Sequence, residues 1–146
     1  MNNYAKLRPW TDIEFCDCSA TQNLLLVYTL HANPIHCYEC KGVIDPETLK
    51  LSSEQTDDVA NWSGNFSSLY DLWLDSGEYE TYSKEMLLDK NGQVNINGIK
   101  AAKSLSNIYS TYYWWFHDSD DPPLKACPNC RGELDGDTRH GYSGKC

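Results

Sequence analysis

The sequence contains no long hydrophobic run. Hydrophobic residues make up 40% of its 146 residues, and the apolar stretch at 24–30 is far shorter than the roughly 18 residues that a membrane-spanning helix needs. This excludes an integral membrane protein, and a mean hydropathy of -0.60 is typical of a soluble folded chain. The first ten residues also lack the apolar core and cleavage site of a secretory signal, which predicts a cytoplasmic protein.

Positive charge is also scarce. Lys and Arg number 12 against 21 Asp and Glu, so the formal net charge is -9. Such a chain repels phosphate backbones and attracts basic partners. We expect the partner-binding surface in two acidic clusters, although an ordinary solvated surface is the alternative for each. The clusters are Asp71, Asp75, Glu78 and Glu80, and Asp118, Asp120 and Asp121.

Catalytic motifs are absent as well. The sequence has no nucleophile elbow, no phosphate-cradling loop, no His-Glu-x-x-His motif and no convincing acid/base pair. This predicts that the protein is not an enzyme.

The hydrophobic pattern predicts a mixed fold. Residues 24–30 indicate a buried strand, and residues 112–116 indicate a second strand rich in aromatic side chains. A short helix is predicted near 52–60. From Asn65 an amphipathic stripe predicts a helix that stops at Gly77, and a second helix follows and ends near 89–92. Asn97 is expected to cap a third helix.

Seven cysteines in a chain without an export signal favour metal binding over disulfides. The segments 37–42 and 127–132 share one pattern: two cysteines separated by two residues, then a basic residue, then glycine. Such turns bring two thiolates to one ion, and we expect the glycine to supply the positive φ of the turn. A closed structural zinc site is therefore predicted, and a redox pair is the weaker alternative. Its ligands are Cys37, Cys40, Cys127 and Cys130.

The remaining cysteines and the histidines receive no ligand role, because a single Cys-x-Cys pair and isolated histidines are weakly diagnostic. A second metal site built from them stays open. They are Cys16, Cys18, Cys146, His31, His36, His117 and His140.

The predicted fold class is α+β. We expect a small sheet with a split four-cysteine zinc ribbon and a three-helix insertion between the two Cys-x-x-Cys motifs. One zinc-stabilised domain is expected over residues 1–134, and residues 135–146 are expected to form a disordered tail.

The order of these motifs over about residues 24–134 resembles a family of uncharacterised bacterial zinc-ribbon proteins that carries a nucleic-acid-binding label. The resemblance implies that Cys37, Cys40, Cys127 and Cys130 hold zinc. In size, acidity and lack of catalytic motifs the chain is also similar to the immunity proteins that are paired with bacterial polymorphic toxins.

The leading functional hypothesis is a non-enzymatic acidic protein that neutralises a basic toxin by covering its active cleft. The alternative is a zinc-ribbon module that binds nucleic acid or acts in transcription. In that module Tyr112, Trp114 or Trp115 would stack on bases, so exposure of these rings would favour it and burial would count against it.

Overall fold

The computed structural model describes residues 4–7, 16–19, 23–29, 33–122, 125–128 and 131. Over these residues it confirms the α+β class, with three strands and three α-helices. In chain order these are β1 (Asn23–Leu26), β2 (Ile35–Cys37), α1 (Ser53–Asp75), α2 (Glu80–Leu88), α3 (Gln93–Leu105) and β3 (Ser110–Tyr113). Short 3-10 helices lie at Tyr4–Leu7 and Pro46–Leu49.

The strands form one sheet in the order β2-β1-β3. Leu25 of β1 is opposite His36 of the antiparallel β2 and opposite Tyr112 of the parallel β3. Leu24, Leu25 and Leu26 are all buried, as expected for a central strand that is covered on both faces. The buried strand predicted at 24–30 is confirmed for Leu24–Leu26. The Val27 N–H makes one further bond, to the Pro34 carbonyl oxygen (2.9 Å), and Leu30 lies outside the described residues.

The aromatic strand predicted at 112–116 begins earlier and ends earlier than expected. β3 spans Ser110–Tyr113, and the Trp114 N–H makes one further bond to the Leu26 carbonyl oxygen (3.0 Å). The described pairing between β1 and β3 ends with this bond. The strand lies at an edge of the sheet.

Helix α1 is one continuous helix of 23 residues, where the sequence predicted two separate helical segments. It begins at a capping box, in which Ser52 and Gln55 each accept a hydrogen bond from the other's backbone N–H. Val59, Trp62 and Phe66 are buried at i, i+3 and i+7, so one apolar stripe joins the two predicted segments. The predicted stop is confirmed, since the chain turns with a positive φ at Gly77 (65°).

Helix α2 confirms the second predicted helix. Helix α3 starts four residues before the predicted cap, and its N-cap is Gly92, so the assignment of Asn97 as the cap was wrong. Asn97 lies within the helix and accepts a hydrogen bond from the Gln93 side chain (2.8 Å). Its capping role would have required a non-helical backbone at that position.

A buried polar chain joins the helices to the sheet. The Trp62 indole N–H donates to the Tyr113 hydroxyl (3.2 Å), and that hydroxyl donates to Asn95 Oδ1 (2.8 Å). The Asn95 amide donates to the carbonyl oxygens of Leu87 and Asp89, both at 2.9 Å. The end of α2, the start of α3 and β3 are thereby fixed to one another within the core.

Across the described segments, no helix has both the length and the apolar character required to cross a bilayer. The predicted tail at 135–146 lies outside the described residues, and the boundary of the predicted domain stays a prediction.

Candidate metal centre and acidic corner

Four cysteine side chains converge at the end of β2. The Sγ atoms of Cys16, Cys18, Cys37 and Cys40 all lie within 4.8 Å of one another. The Cys18 and Cys37 sulfurs are 3.9 Å apart. Four soft ligands at such separations are able to surround a single metal ion.

A tight turn places two of these thiols. Cys37 ends β2, its N–H donates to the Gly42 carbonyl oxygen (2.8 Å), and the Lys41 N–H donates back to the Cys37 carbonyl oxygen (2.9 Å). The Gly42 N–H points at Cys40 Sγ (3.4 Å). Backbone N–H groups directed at sulfur stabilise thiolates and orient them towards a cation.

The other two thiols come from the segment that precedes β1. The Cys16 N–H donates to the Val43 carbonyl oxygen (2.8 Å), which fixes this segment beside the residues that follow the turn. Val43 is in turn bridged to His36 of β2. The cluster therefore ties the N-terminal part of the chain to the edge of the sheet.

Protonation of the thiols depends on burial and on the other cysteines. Burial raises the pKa of Cys37, which also donates to Glu39 (3.2 Å). Hydrogen bonding with Cys16 raises the pKa of Cys18 to about 11. A bound divalent cation would replace these protons, because thiolates and not thiols are the metal ligands.

Of the four zinc ligands predicted from the sequence, Cys37 and Cys40 belong to this cluster. Cys127 is buried in the hydrophobic core and is not among the four converging thiols. Cys130 lies outside the described residues, so the ligand role of the second motif stays a prediction. Sequence analysis missed Cys16 and Cys18, whose signal was a thiol pair about 20 residues before the first Cys-x-x-Cys motif.

The residue that supplies the positive φ also differs from the prediction. Lys41 has a φ of 64°, whereas Gly42 is not among the described residues with positive φ. The assignment of this role to Gly42 was therefore wrong. The left-handed residue is the one directly after the second cysteine, and its N–H closes the turn on the carbonyl oxygen of the first.

The described histidines are held by backbone groups. Both ring nitrogens of His36 lie 3.0 Å from carbonyl oxygens, those of Lys41 and Asn33. His117 Nε2 donates to the Pro122 carbonyl oxygen (2.8 Å). His31 and His140, like Cys146, lie outside the described residues.

The first predicted acidic cluster forms an exposed corner where α1 ends and α2 begins. Its four carboxylates are all on exposed residues. Three of the five exposed large hydrophobic side chains of the described chain lie beside them in sequence: Leu74 (49% exposed), Tyr79 (52%) and Tyr82 (57%). We call residues 71–82 the acidic corner.

The second predicted acidic cluster is partly neutralised. Lys84 of α2 lies 2.9 Å from a carboxylate oxygen of Asp118 and 2.9 Å from one of Asp121. Asp120 of this cluster is exposed, whereas Asp118 and Asp121 are partly buried. Of the two predicted clusters, the acidic corner therefore has more exposed carboxylates.

The rings expected to stack on bases are mostly covered. Trp115 is 2% exposed, and Tyr112 and Trp114 are half-buried. Tyr112 packs against Tyr38, with ring centroids 5.3 Å apart. This burial counts against an open aromatic platform for single-stranded nucleic acid.

Comparison of the chain with protein-family models, with curated proteins and with solved structures finds no match. The resemblance to a zinc-ribbon family and the similarity to immunity proteins therefore stay predictions.

Proposed function

We propose that Cys16, Cys18, Cys37 and Cys40 bind one structural Zn²⁺ ion. A tetrahedral site with Zn–S distances of about 2.3 Å has sulfur–sulfur edges of about 3.8 Å. The 3.9 Å separation of Cys18 and Cys37 supports this geometry. Four thiolates fill the coordination sphere and leave no position for water, so the ion stabilises the fold and takes no part in catalysis.

Metal analysis of single variants tests the ligand set. The purified wild-type chain should contain one equivalent of zinc, Cys18→Ser should lose it, and Cys127→Ala should retain it. Cys18 is exposed, so its substitution removes a ligand without opening a core cavity. Zinc that survives in Cys18→Ser and disappears in Cys127→Ala would instead assign the site to the two Cys-x-x-Cys motifs.

We further propose that the protein is a non-enzymatic binding protein whose acidic corner captures a basic protein, of the kind that an immunity protein neutralises. The observation that supports this proposal is that four exposed carboxylates and the exposed side chains of Leu74, Tyr79 and Tyr82 lie within one short segment of the chain. Tyrosine is enriched among the residues that dominate interface energies, and surrounding charges steer association and select the partner.

Paired affinity captures from the native cell test this surface. The zinc-loaded wild-type chain should recover one basic protein in stoichiometric amount, and Asp75→Lys should reduce that recovery and slow association. Glu54→Lys is the matched control, because it reverses one exposed charge at the opposite end of the same helix, about 32 Å away.

Two results would contradict the proposal. One is an equal loss of binding in Glu54→Lys and Asp75→Lys, which would show that the acidic corner is not the specific binding surface. The other is recovery of nuclease-sensitive nucleic acid with no basic protein, which would favour the nucleic-acid-binding alternative.

A further inference from the structure

Solvent reaches part of the four-thiol cluster. Cys18 and Cys40 are exposed and Cys16 is half-buried, whereas Cys37 is buried. Cys16 and Cys18 also line an open depression of about 430 Å³, which is much larger than a hydrogen peroxide molecule. Oxidation of cysteines follows their thiolate character and their exposure, so a small oxidant in water is able to reach this cluster.

An exposed thiol and a buried thiol lie in contact within the cluster. The Cys18 and Cys37 sulfurs are 3.9 Å apart, and a disulfide S–S bond is about 2.05 Å long, so an approach of about 1.9 Å joins them. Cys37 is held at the end of β2. Cys18 is exposed and lies two residues after the Cys16 N–H, whose bond to Val43 fixes the segment. Cys18 is therefore the member of the pair that has room to move.

The other exposed thiol is a weaker nucleophile towards an oxidant. The Gly42 N–H is directed at Cys40 Sγ (3.4 Å). A hydrogen bond of this kind stabilises the thiolate, and the nucleophilicity of a thiolate falls as its pKa falls. Cys40 also lies within the tight turn that follows β2, which fixes its position. We therefore expect Cys18 to react first.

On the basis of the proposed zinc site, we infer that the cluster is a redox switch, in which a hydroperoxide oxidises Cys18 and Cys37 to a disulfide and the ion is released. The Cys18 thiolate attacks one peroxide oxygen, the O–O bond breaks, and Cys18 becomes a sulfenic acid while hydroxide leaves. The Cys37 thiolate then attacks the Cys18 sulfur, the S–S bond forms, and a second hydroxide leaves. Two electrons pass from the two sulfurs to the peroxide, and two protons from solvent convert both hydroxides into water.

Disulfide formation removes two of the four ligands in one reaction. Cys16 and Cys40 remain, and two thiolates leave half of a tetrahedral coordination sphere open to water or to a competing chelator. The new S–S bond still joins the N-terminal segment to β2, so the fold keeps a cross-link when the ion leaves. Reduction by a thiol restores both thiolates and with them the metal site.

Peroxide treatment of the reduced, zinc-loaded full chain tests the switch. A chromogenic chelator measures the released zinc, and mass spectrometry of alkylated peptides identifies each disulfide. We expect one equivalent of zinc to be released for each Cys18–Cys37 disulfide that forms, and dithiothreitol with added zinc should restore the metal content. Cys127→Ala is the control, because Cys127 is buried outside the cluster, and this variant should release zinc at the rate of the wild type.

Cys18→His separates metal binding from oxidation. Imidazole is a common zinc ligand, but the substitution removes the sulfur that attacks peroxide. Zinc that this variant binds should be released about fivefold more slowly by peroxide than zinc bound to the wild type. Release at the wild-type rate would overturn the role of Cys18. If the variant binds no zinc, the disulfide map of the wild type decides the same question.

The outcomes for the wild type distinguish the switch from the metal site on which it depends. A reduced wild-type chain that binds no zinc would contradict the proposed zinc site. A zinc-loaded chain that keeps its ion under peroxide would overturn the switch alone. Release accompanied by a Cys37–Cys40 disulfide, or by sulfinic acids without any disulfide, would also overturn it, because neither product comes from the Cys18–Cys37 contact.

Discussion

Lys41 and Arg131 adopt the same backbone conformation at equivalent places in the two Cys-x-x-Cys motifs. Their φ angles are 64° and 61°. Their N–H groups donate to the carbonyl oxygens of Cys37 and Cys127 at 2.9 and 2.8 Å. The two motifs therefore share this turn bond, although Cys127, the described cysteine of the second motif, is not part of the four-thiol cluster.

This shared turn predicts the effect of substitutions at Arg131. A left-handed backbone costs an L-residue roughly 1–2 kcal/mol, and β-branched residues tolerate it least. Arg131→Val should lower the free energy of unfolding by about 1–2 kcal/mol relative to Arg131→Gly, as measured by urea denaturation of the zinc-loaded chain. Equal stability of the two variants would show that the turn does not constrain this position.

Two glycines in helices should respond oppositely to alanine. A Cβ atom at Gly98 would lie 2.3 Å from Tyr113 Cε1 and 2.6 Å from the Trp62 indole nitrogen, whereas a Cβ at Gly64 would meet nothing within 4 Å. Gly98→Ala should therefore destabilise the protein by about 1–3 kcal/mol. Gly64→Ala should stabilise it by about 0.5–1 kcal/mol through helix propensity. Thermal unfolding of both variants checks the contrast.

Removal of the Tyr113 hydroxyl should lower the free energy of unfolding. The hydroxyl accepts from the Trp62 indole and donates to Asn95, so Tyr113→Phe leaves two buried polar groups unpaired. We expect a loss of about 1–3 kcal/mol in the free energy of unfolding. Tyr82→Phe is the control, because Tyr82 is 57% exposed and should change stability little. A neutral Tyr113→Phe would mean that the buried chain contributes nothing to stability.

The ion pairs of Lys84 should make part of the stability depend on pH. The Asp120 N–H and then Lys84 lower the pKa of Asp118. A carboxyl group with a lowered pKa stabilises the fold above its ordinary pKa of about 4, and this contribution is lost as the pH falls through its pKa in the folded protein. Lys84→Met should therefore be less stable than wild type at pH 7, and the difference should shrink below about pH 4.

Lys90→Met, which removes an exposed charge just after α2, serves as the control for this comparison. The measurement is the difference between variant and wild type in the urea concentration at the unfolding midpoint, taken at each pH. Any loss of metal at low pH affects both proteins and therefore cancels in this difference. A difference that is constant with pH would exclude a role for these ion pairs.

Local signals in the sequence predicted most of the secondary structure. The apolar stripe around Phe66, the stop at Gly77 and the strand at β1 all follow from periodicity and turn chemistry. The strand β2 was missed, because three residues are too few to show an alternation. The sequence analysis also placed a break before Asn65, where Gly64 is a possible stop signal, but α1 continues through Gly64 and the two predicted segments are one helix.

The composition of the thiol cluster required tertiary information. Cys16 and Cys18 reach Cys37 only because the Cys16 N–H pairs with Val43, and no local pattern encodes that contact. Similarly, the sequence shows both acidic clusters, but it does not show that the second cluster is partly neutralised. The approach of Lys84 to Asp118 and Asp121 depends on how α2 packs beside a loop more than 30 residues later.

The order of the cysteines along the chain also has a consequence for biosynthesis. All four converging thiols lie within the first 40 residues, whereas the sheet is complete only when Tyr113 has been added. At a synthesis rate of about 5–20 residues per second, the nascent chain carries the four thiols of the proposed site about 4–15 s before it can form the third strand. Metal binding at the proposed site therefore does not have to wait for the sheet and can begin while the helices are still being translated.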